Sequence, residues 1–258
     1  MPVRGRSLPF AAPALAAGAL ASVQSASAAP ADAAACPAPA AAIGLSTGWK
    51  LQLPTPNSSG SPQEMKQPAL PTYNKAPWFT TTSGCDAILI RAAVNGATTS
   101  NTGYRRSELR EMTADGSATT SWSSTKGTRT MVVDEAITHL PADKPPVMAG
   151  QIHDGTSDAT SFRLEGTSLY VTSYNTAHYT LVTSGYKLGD RFEGKFVAHD
   201  GKVDVYYNGT LQATVTAKFG SGYFKAGDYT QANCNNSKPC DTSAYGEVVL
   251  YGVTVKHS

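Results

Sequence analysis

After Val23 the chain contains no apolar run approaching the roughly 20 residues that a membrane-spanning helix needs, so no transmembrane segment is expected. Amphipathic helical periodicity is also missing; the best stretch is a turn or so within residues 62–70, where Pro62 and Pro68 limit what can form. A GxSxG elbow and a P-loop are both absent, which removes the signatures of a serine hydrolase and of a phosphate-cradling nucleotide site. His139, His178, His199 and His257 do not stand at metal-ligand spacing, and the cysteines include no CxxC. The segment DGTSD at 154–158 has two carboxylates that could surround a calcium ion, but it reads as a plain loop. No metal and no cofactor is expected.

Net charge is the next absence. Arg4 and Arg6 open a positively charged start, an alanine-rich apolar run follows through Val23, and ASA at 26–28 fits a small-residue cleavage site, so residues 1–28 read as an export signal. Removing it lowers the 21 Lys and Arg to 19, equal to the 19 Asp and Glu. The whole surface therefore gives no general attraction for a polyanion, and neither a nucleic acid nor a membrane is an expected partner. Residues 29–42, nearly all Ala and Pro, read as a disordered or extended leader, and residues 43–258 as a single secreted, extracellular, monomeric domain.

Four cysteines fit an oxidising compartment and allow three pairings. Cys234 with Cys240 is the favoured local bridge, which would leave Cys36 with Cys85.

What the chain does have is strands. Short runs such as AILIRAAV (87–94), RTMVVDEAI (129–137), TSFRLE (160–165), SLYVTSY (168–174) and EVVLYGVTVK (247–256) are separated by turn residues. Asp200-Gly201 and Asn208-Gly209 are hairpin turns, giving three consecutive antiparallel strands. The expectation is an all-β fold of two stacked antiparallel sheets.

Three segments carry unusual polar faces. Period-two alternation puts Arg106, Glu108 and Arg110 on one face of RRSELR, and Gln151 and His153 on one face of GQIHDG. In YFKAGDYTQ it gathers Tyr223, Lys225, Gly227, Tyr229 and Gln231. A solvated sheet face is normally Thr, Ser, Lys and Glu, whereas guanidinium, amide, imidazole and phenol are recognition and proton-transfer groups. A single such strand would mean little; three of them point to a site.

The motifs RSELR, QIH and YFKAGDYTQ, in that order, resemble the three signature motifs of the polysaccharide lyase family 7 alginate lyases, and WKLQLP at 49–54 is similar to that family's opening strand. The similarity runs from Trp49 to about Lys256, and three motifs in order are far more specific than one. The resemblance implies a β-jelly roll of two curved sheets with the motifs lining an open concave groove, and alginate as the partner. One departure is Asp228, where a small or apolar residue is expected; its parity points it away from the groove.

The implied reaction is β-elimination on a uronate chain, which removes the C5 proton and expels the glycosidic oxygen at C4. It needs a group that neutralises the carboxylate, a base and an acid. Arg106 offers a permanent charge in a bidentate fork and Gln151 an amide donor; the resemblance assigns both to the carboxylate. His153 titrates near neutrality and can act as base. Tyr229 can protonate the leaving oxygen, or act as a phenolate base if cationic neighbours lower its pKa from about 10. Glu108, Arg110, Tyr223, Lys225 and Gln231 are candidates for substrate subsites or for holding the catalytic groups. Within the family, isoleucine at position 152 resembles enzymes accepting guluronate. An open groove favours endo cleavage. The alternatives are a lyase for another polyuronate such as glucuronan, or a non-catalytic binding module on the same fold.

Overall fold

Asp200 and Asn208 take positive φ values of 47° and 48°, as tight hairpin turns require, and each joins strands paired in register. The computed structural model describes residues 1–3, 5 and 35–258. Residues 4 and 6–34, which hold most of the export signal and the first part of the leader, lie outside the described residues.

In chain order the strands are β1 (Trp49–Pro56), β2 (Pro62–Met65), β3 (Phe79–Thr81), β4 (Ile88–Ala93), β5 (Arg105–Glu111), β6 (Arg129–His139), β7 (Val147–His153) and β8 (Asp158–Glu165). They continue as β9 (Ser168–Ser173), β10 (Thr176–Thr183), β11 (Phe192–His199), β12 (Lys202–Tyr207), β13 (Thr210–Thr216), β14 (Tyr223–Thr230) and β15 (Tyr245–His257). Among the described residues they form an eight-stranded sheet, ordered β10-β9-β8-β7-β14-β5-β1-β2, and a seven-stranded sheet, ordered β13-β12-β11-β6-β15-β4-β3. Every pairing is antiparallel, so the expected pair of stacked sheets is what forms.

The inner faces meet in one apolar layer that includes Leu51, Ile90, Leu109, Val133, Ile152, Phe162, Phe196, Phe224 and Leu250, all fully buried. Each such side chain contributes about 1.5–3 kcal/mol of burial. That layer fixes strand register, because a one-residue slip would turn the whole set outward.

Two sequence expectations change. The helical turn expected within residues 62–70 is instead edge strand β2, paired with β1 through Leu51–Met65 and Gln52–Glu64; a 3-10 turn follows only at Leu70–Thr72. Pro62 explains the outcome, since proline suits the start of an edge strand as well as a helix start. The end of the leader is not extended either. The folded body begins at Cys36, where a disulfide to Cys85 anchors the chain and a short helical turn (Pro39–Ala42) buries Ala40. The second disulfide joins Cys234 to Cys240.

Candidate active site

β7, β14 and β5 are neighbours in the middle of the eight-stranded sheet, which brings the three polar faces together. Across β14 and β5, Tyr229 pairs with Arg106, Gly227 with Glu108 and Lys225 with Arg110; across β14 and β7, Tyr223 pairs with His153 and Lys225 with Gln151.

Two glycines make this register possible. Gly150 has φ +58° and sits where β7 gains a residue against β8. This bulge reverses parity, so that Ala149 and Ile152 both enter the core while Gln151 and His153 stay on the outer face. Gly227 has φ +129°, and a Cβ there would stand 2.7 Å from the carbonyl oxygen of Ser107. Strand β5 can approach β14 this closely only over a glycine.

At the floor lies Glu108, with no exposed surface. Its carboxylate accepts hydrogen bonds from the Gln151 side-chain amide and from Lys225 Nζ, and the Arg106 guanidinium lies 3.5 Å away. This geometry limits Glu108 and Lys225, which is 2 % exposed, to holding neighbours rather than gripping a chain in the groove. Burial, with Arg106 adding its own charge, outweighs Glu108 and lowers the Lys225 pKa to about 8. Gln151 is 1 % exposed and its Oε1 has no partner, so it can present only a small polar contact to a ligand.

His153 stacks on Tyr223 with centroids 5.0 Å apart, and Arg110 lies over the same ring at 3.8 Å. Burial lowers the His153 pKa to about 4, helped by the positive charges of Lys225 and Arg106 and opposed by Asp158 and Glu108. Its Nδ1 accepts the Gly155 N–H at 3.2 Å.

Tyr229 is 6 % exposed; the Arg106 guanidinium carbon sits 4.0 Å from its ring centroid, and its hydroxyl is 2.8 Å from Thr102 Oγ1. Burial raises its pKa, and this outweighs the opposing effects of Arg106 and Thr102. The cationic neighbours therefore do not lower it below its ordinary value, contrary to the condition set for a phenolate base. Gln231 lies just past β14, buried, with its amide turned back 3.4 Å from the Tyr229 carbonyl.

Asp228 points away from the groove, as its parity predicts, and is fully buried between the sheets. Burial drives its pKa well above the carboxylate range, so it is held as the neutral acid. Thr230 has one hydroxyl hydrogen, and donating it to the Ala92 carbonyl at 2.9 Å leaves its oxygen to accept from Asp228, 3.1 Å away.

The groove above these groups encloses about 420 Å³ and is also lined by Gln52, Thr99, Asn101, Thr102, Ser157 and Asp158. None of these was assigned to the groove from the sequence: Ser157 and Asp158 were read only as part of the DGTSD loop, Gln52 is an ordinary polar residue within β1, and the others are common polar residues in a loop. Gln52 and Thr99 are shared with a second depression of about 730 Å³, which carries the groove across β1 toward β2. A separate cavity between the sheets holds the pair His257 and Glu111 at 2.5 Å. Glu111 has the opposite parity to Arg110 on β5, so this cavity is not part of the groove.

Comparison with known proteins agrees with this arrangement. The alginate lyase family model Alginate_lyase2 matches residues 43–257. An alginate lyase from Corynebacterium sp. is 56% identical with a TM-score of 0.83, covering 86% of this chain and 99% of that one. Alginate lyase AlgAT5 of polysaccharide lyase family 7 is 42% identical with a TM-score of 0.80, covering 86% and 99%. The family 7 alginate lyase A1-II′, solved as a variant in complex with substrate (GGMG), is 28% identical with a TM-score of 0.68, covering 82% and 93%. Curated proteins give no match. With the family model spanning nearly all of the folded body and the three motif strands meeting on one face, this chain belongs to the polysaccharide lyase family 7 alginate lyases.

Proposed function

We propose that this alginate lyase is secreted, acts alone as a monomer, and cuts within alginate chains at guluronate-containing blocks, with Arg106, Gln151, His153 and Tyr229 as its catalytic residues. The observation that carries the reading is the meeting of Arg106, Gln151, His153 and Tyr229 on one groove face across β5, β14 and β7. Near neutral pH His153, with its pKa lowered to about 4, is an unprotonated base, while Tyr229, with its pKa raised, is a protonated acid.

The C5 proton beside an ionised carboxylate is too weakly acidic to leave unaided. Arg106 engages the carboxylate with a charged fork and the Gln151 amide adds a donor, so the negative charge that develops on proton removal is met as it forms. His153 takes the C5 proton. Its Nδ1 lone pair exchanges the Gly155 N–H for that proton, because a neutral ring accepting there carries its own hydrogen on Nε2. Tyr229 gives its hydroxyl proton to the C4 oxygen as the bond breaks, leaving a double bond between C4 and C5. Base and acid on separate residues suit guluronate, where proton and leaving group depart from opposite sides of the ring. For mannuronate Tyr229 would have to serve as both, and its raised pKa makes the phenolate scarce.

Glu108 aligns Gln151 and Lys225 from below, and Tyr223 and Arg110 support His153 by stacking. Ile152 faces the core and touches no substrate, so any influence on block preference passes through its strand. The endo reading is supported by the continuation of the groove toward β2, which leaves room for sugars beyond the reacting bond. Substrate binding in a groove of this family is supported by the relative solved with GGMG.

The test is to supply polyguluronate and polymannuronate separately, following the absorbance of the unsaturated uronate and the size distribution of products. Faster absorbance growth on polyguluronate, with intermediate-length oligomers appearing first, is expected. Faster growth on polymannuronate overturns the block preference, and monomer or dimer release from the outset overturns endo action.

A further inference from the structure

Thr102 lies in the loop leading into β5, and its Oγ1 is the hydrogen-bond partner of the Tyr229 hydroxyl among the described residues, at 2.8 Å. The same oxygen accepts the Tyr104 N–H at 3.1 Å. A threonine hydroxyl has one hydrogen and two lone pairs, and the Tyr104 N–H occupies a lone pair. Two arrangements of the 2.8 Å contact remain. If Tyr229 donates to Thr102, the phenol proton is spent on that contact and is not offered to a sugar in the groove. If Thr102 donates to Tyr229, the phenol proton is free to point into it.

Only the second arrangement suits a residue that gives its proton to a sugar oxygen. Resting on the proposed role of Tyr229 as the acid, we propose that Thr102 is a positioning residue whose hydroxyl, polarised by the Tyr104 N–H, donates to the Tyr229 oxygen, aims the phenol proton into the groove and stabilises the phenolate left after transfer.

The loop is built to hold this hydroxyl in place. Thr98 Oγ1 donates to the Tyr104 carbonyl at 2.6 Å, Arg105 Nε to the Gly96 carbonyl at 2.8 Å, and the Asn233 side-chain amide to the Gly103 carbonyl at 3.0 Å. Other groups around Tyr229 act on its ring or at longer range. Arg106 stacks from β5, Lys225 Nζ lies 5.8 Å from the ring centroid, and the charges of Asp158 and Glu108 oppose ionisation. The Tyr104 ring meets Tyr229 edge-on at 6.4 Å and carries Lys144 on its hydroxyl. Thr102 alone among these bonds to the oxygen that gains and loses the proton.

Thr102→Val keeps the shape and removes the donor; Thr102→Ser keeps the donor and removes a methyl group. We expect Thr102→Val to lower kcat on polyguluronate by about tenfold or more with KM nearly unchanged, as fits loss of a hydrogen bond to a charged oxygen. The limb of the pH profile governed by Tyr229 should move to higher pH, and Thr102→Ser should restore most of kcat. Thr102→Ala gives a second donor-free variant if valine lowers the melting temperature. Wild-type kcat and pH profile in a donor-free variant would overturn the inference, as would a serine variant as impaired as the donor-free ones. Tyr229→Phe separates the two levels: if it keeps turnover, the assignment of the acid falls and Thr102's role with it. If it is inactive while Thr102→Val behaves as wild type, only the role of Thr102 fails.

Discussion

Arg106 and Tyr229 face each other across the β5–β14 ladder, and the guanidinium carbon lies 4.0 Å from the centre of the phenol ring. The stack couples the proposed carboxylate neutraliser to the proposed acid, so a substitution that disturbs the ring disturbs both. Tyr229→Phe retains ring and stack and removes only the hydroxyl. Its kcat should fall by at least about 100-fold while affinity for alginate is largely kept. Arg106→Lys keeps a charge but loses both the fork and the stack, and kcat/KM should fall by a similar factor. Initial rates of unsaturated uronate formation and equilibrium binding measure the two effects; a phenylalanine variant within tenfold of wild type would exclude Tyr229 as the acid.

The pH dependence follows from the direction of two shifts. A base works in its unprotonated form, so activity is lost as pH falls through the His153 value of about 4 and is flat above it toward neutrality. Lys225 and Arg106 contribute to that low value, so replacing Lys225 with methionine should move the acidic limb of kcat/KM to higher pH. A wild-type acidic limb near pH 6.5, the ordinary histidine region, would show that the site does not lower the His153 pKa, and a limb unmoved by the Lys225 change would show that His153 is not the titrating base.

Much of this site was legible because its residues obey strand parity. Arg106, Glu108 and Arg110 fall on one face of β5 simply by alternation, as do Tyr223, Lys225 and Tyr229 on β14. The depth of each residue was not legible: Glu108 and Lys225 look like surface charges in a string of letters, and only the meeting of three strands buries them against each other. The Gly150 bulge was equally hidden, since parity read backward from Gln151 through β7 fails there. Thr102 gave no signal, because its partner lies 127 residues away. The edge strand at Pro62 was missed for a different reason: its local preference is ambiguous and pairing with β1 decides it.

Glu108 offers a test of what holds the floor together. Its carboxylate is the counter-charge for fully buried Lys225 and accepts the Gln151 amide. Glu108→Gln leaves the ammonium without that charge and should destabilise the fold by about 3–5 kcal/mol. Combining it with Lys225→Met removes the orphaned charge and should recover much of the stability without recovering activity, because Gln151 remains unanchored. Urea unfolding of the single and double variants gives the coupling. Simple additivity of the two single changes would show that the pair does not act as a unit.

Glu135 makes the last prediction. It stands on β6 in the sandwich interior, fully buried, with neither carboxylate oxygen partnered. A Cβ added at Gly150 would lie 3.1 Å from its Oε1, so this carboxyl sits directly behind the bulge that aims Gln151 and His153. Burial raises its pKa to about 8, with the charges of Asp134 and Glu108 adding to the shift. The folded state therefore retains a proton that the unfolded chain releases above about pH 4.3. Stability is undiminished below that pH and declines as pH rises toward 8, by a few kcal/mol on the order of the shift. Glu135→Gln keeps the shape and cannot ionise. The variant should match wild type in urea unfolding near pH 4 and become progressively more stable than it between pH 5 and 8. Parallel stability curves for the two proteins across that range would show that Glu135 does not hold its proton, and that the charge behind the bulge is tolerated by some other means.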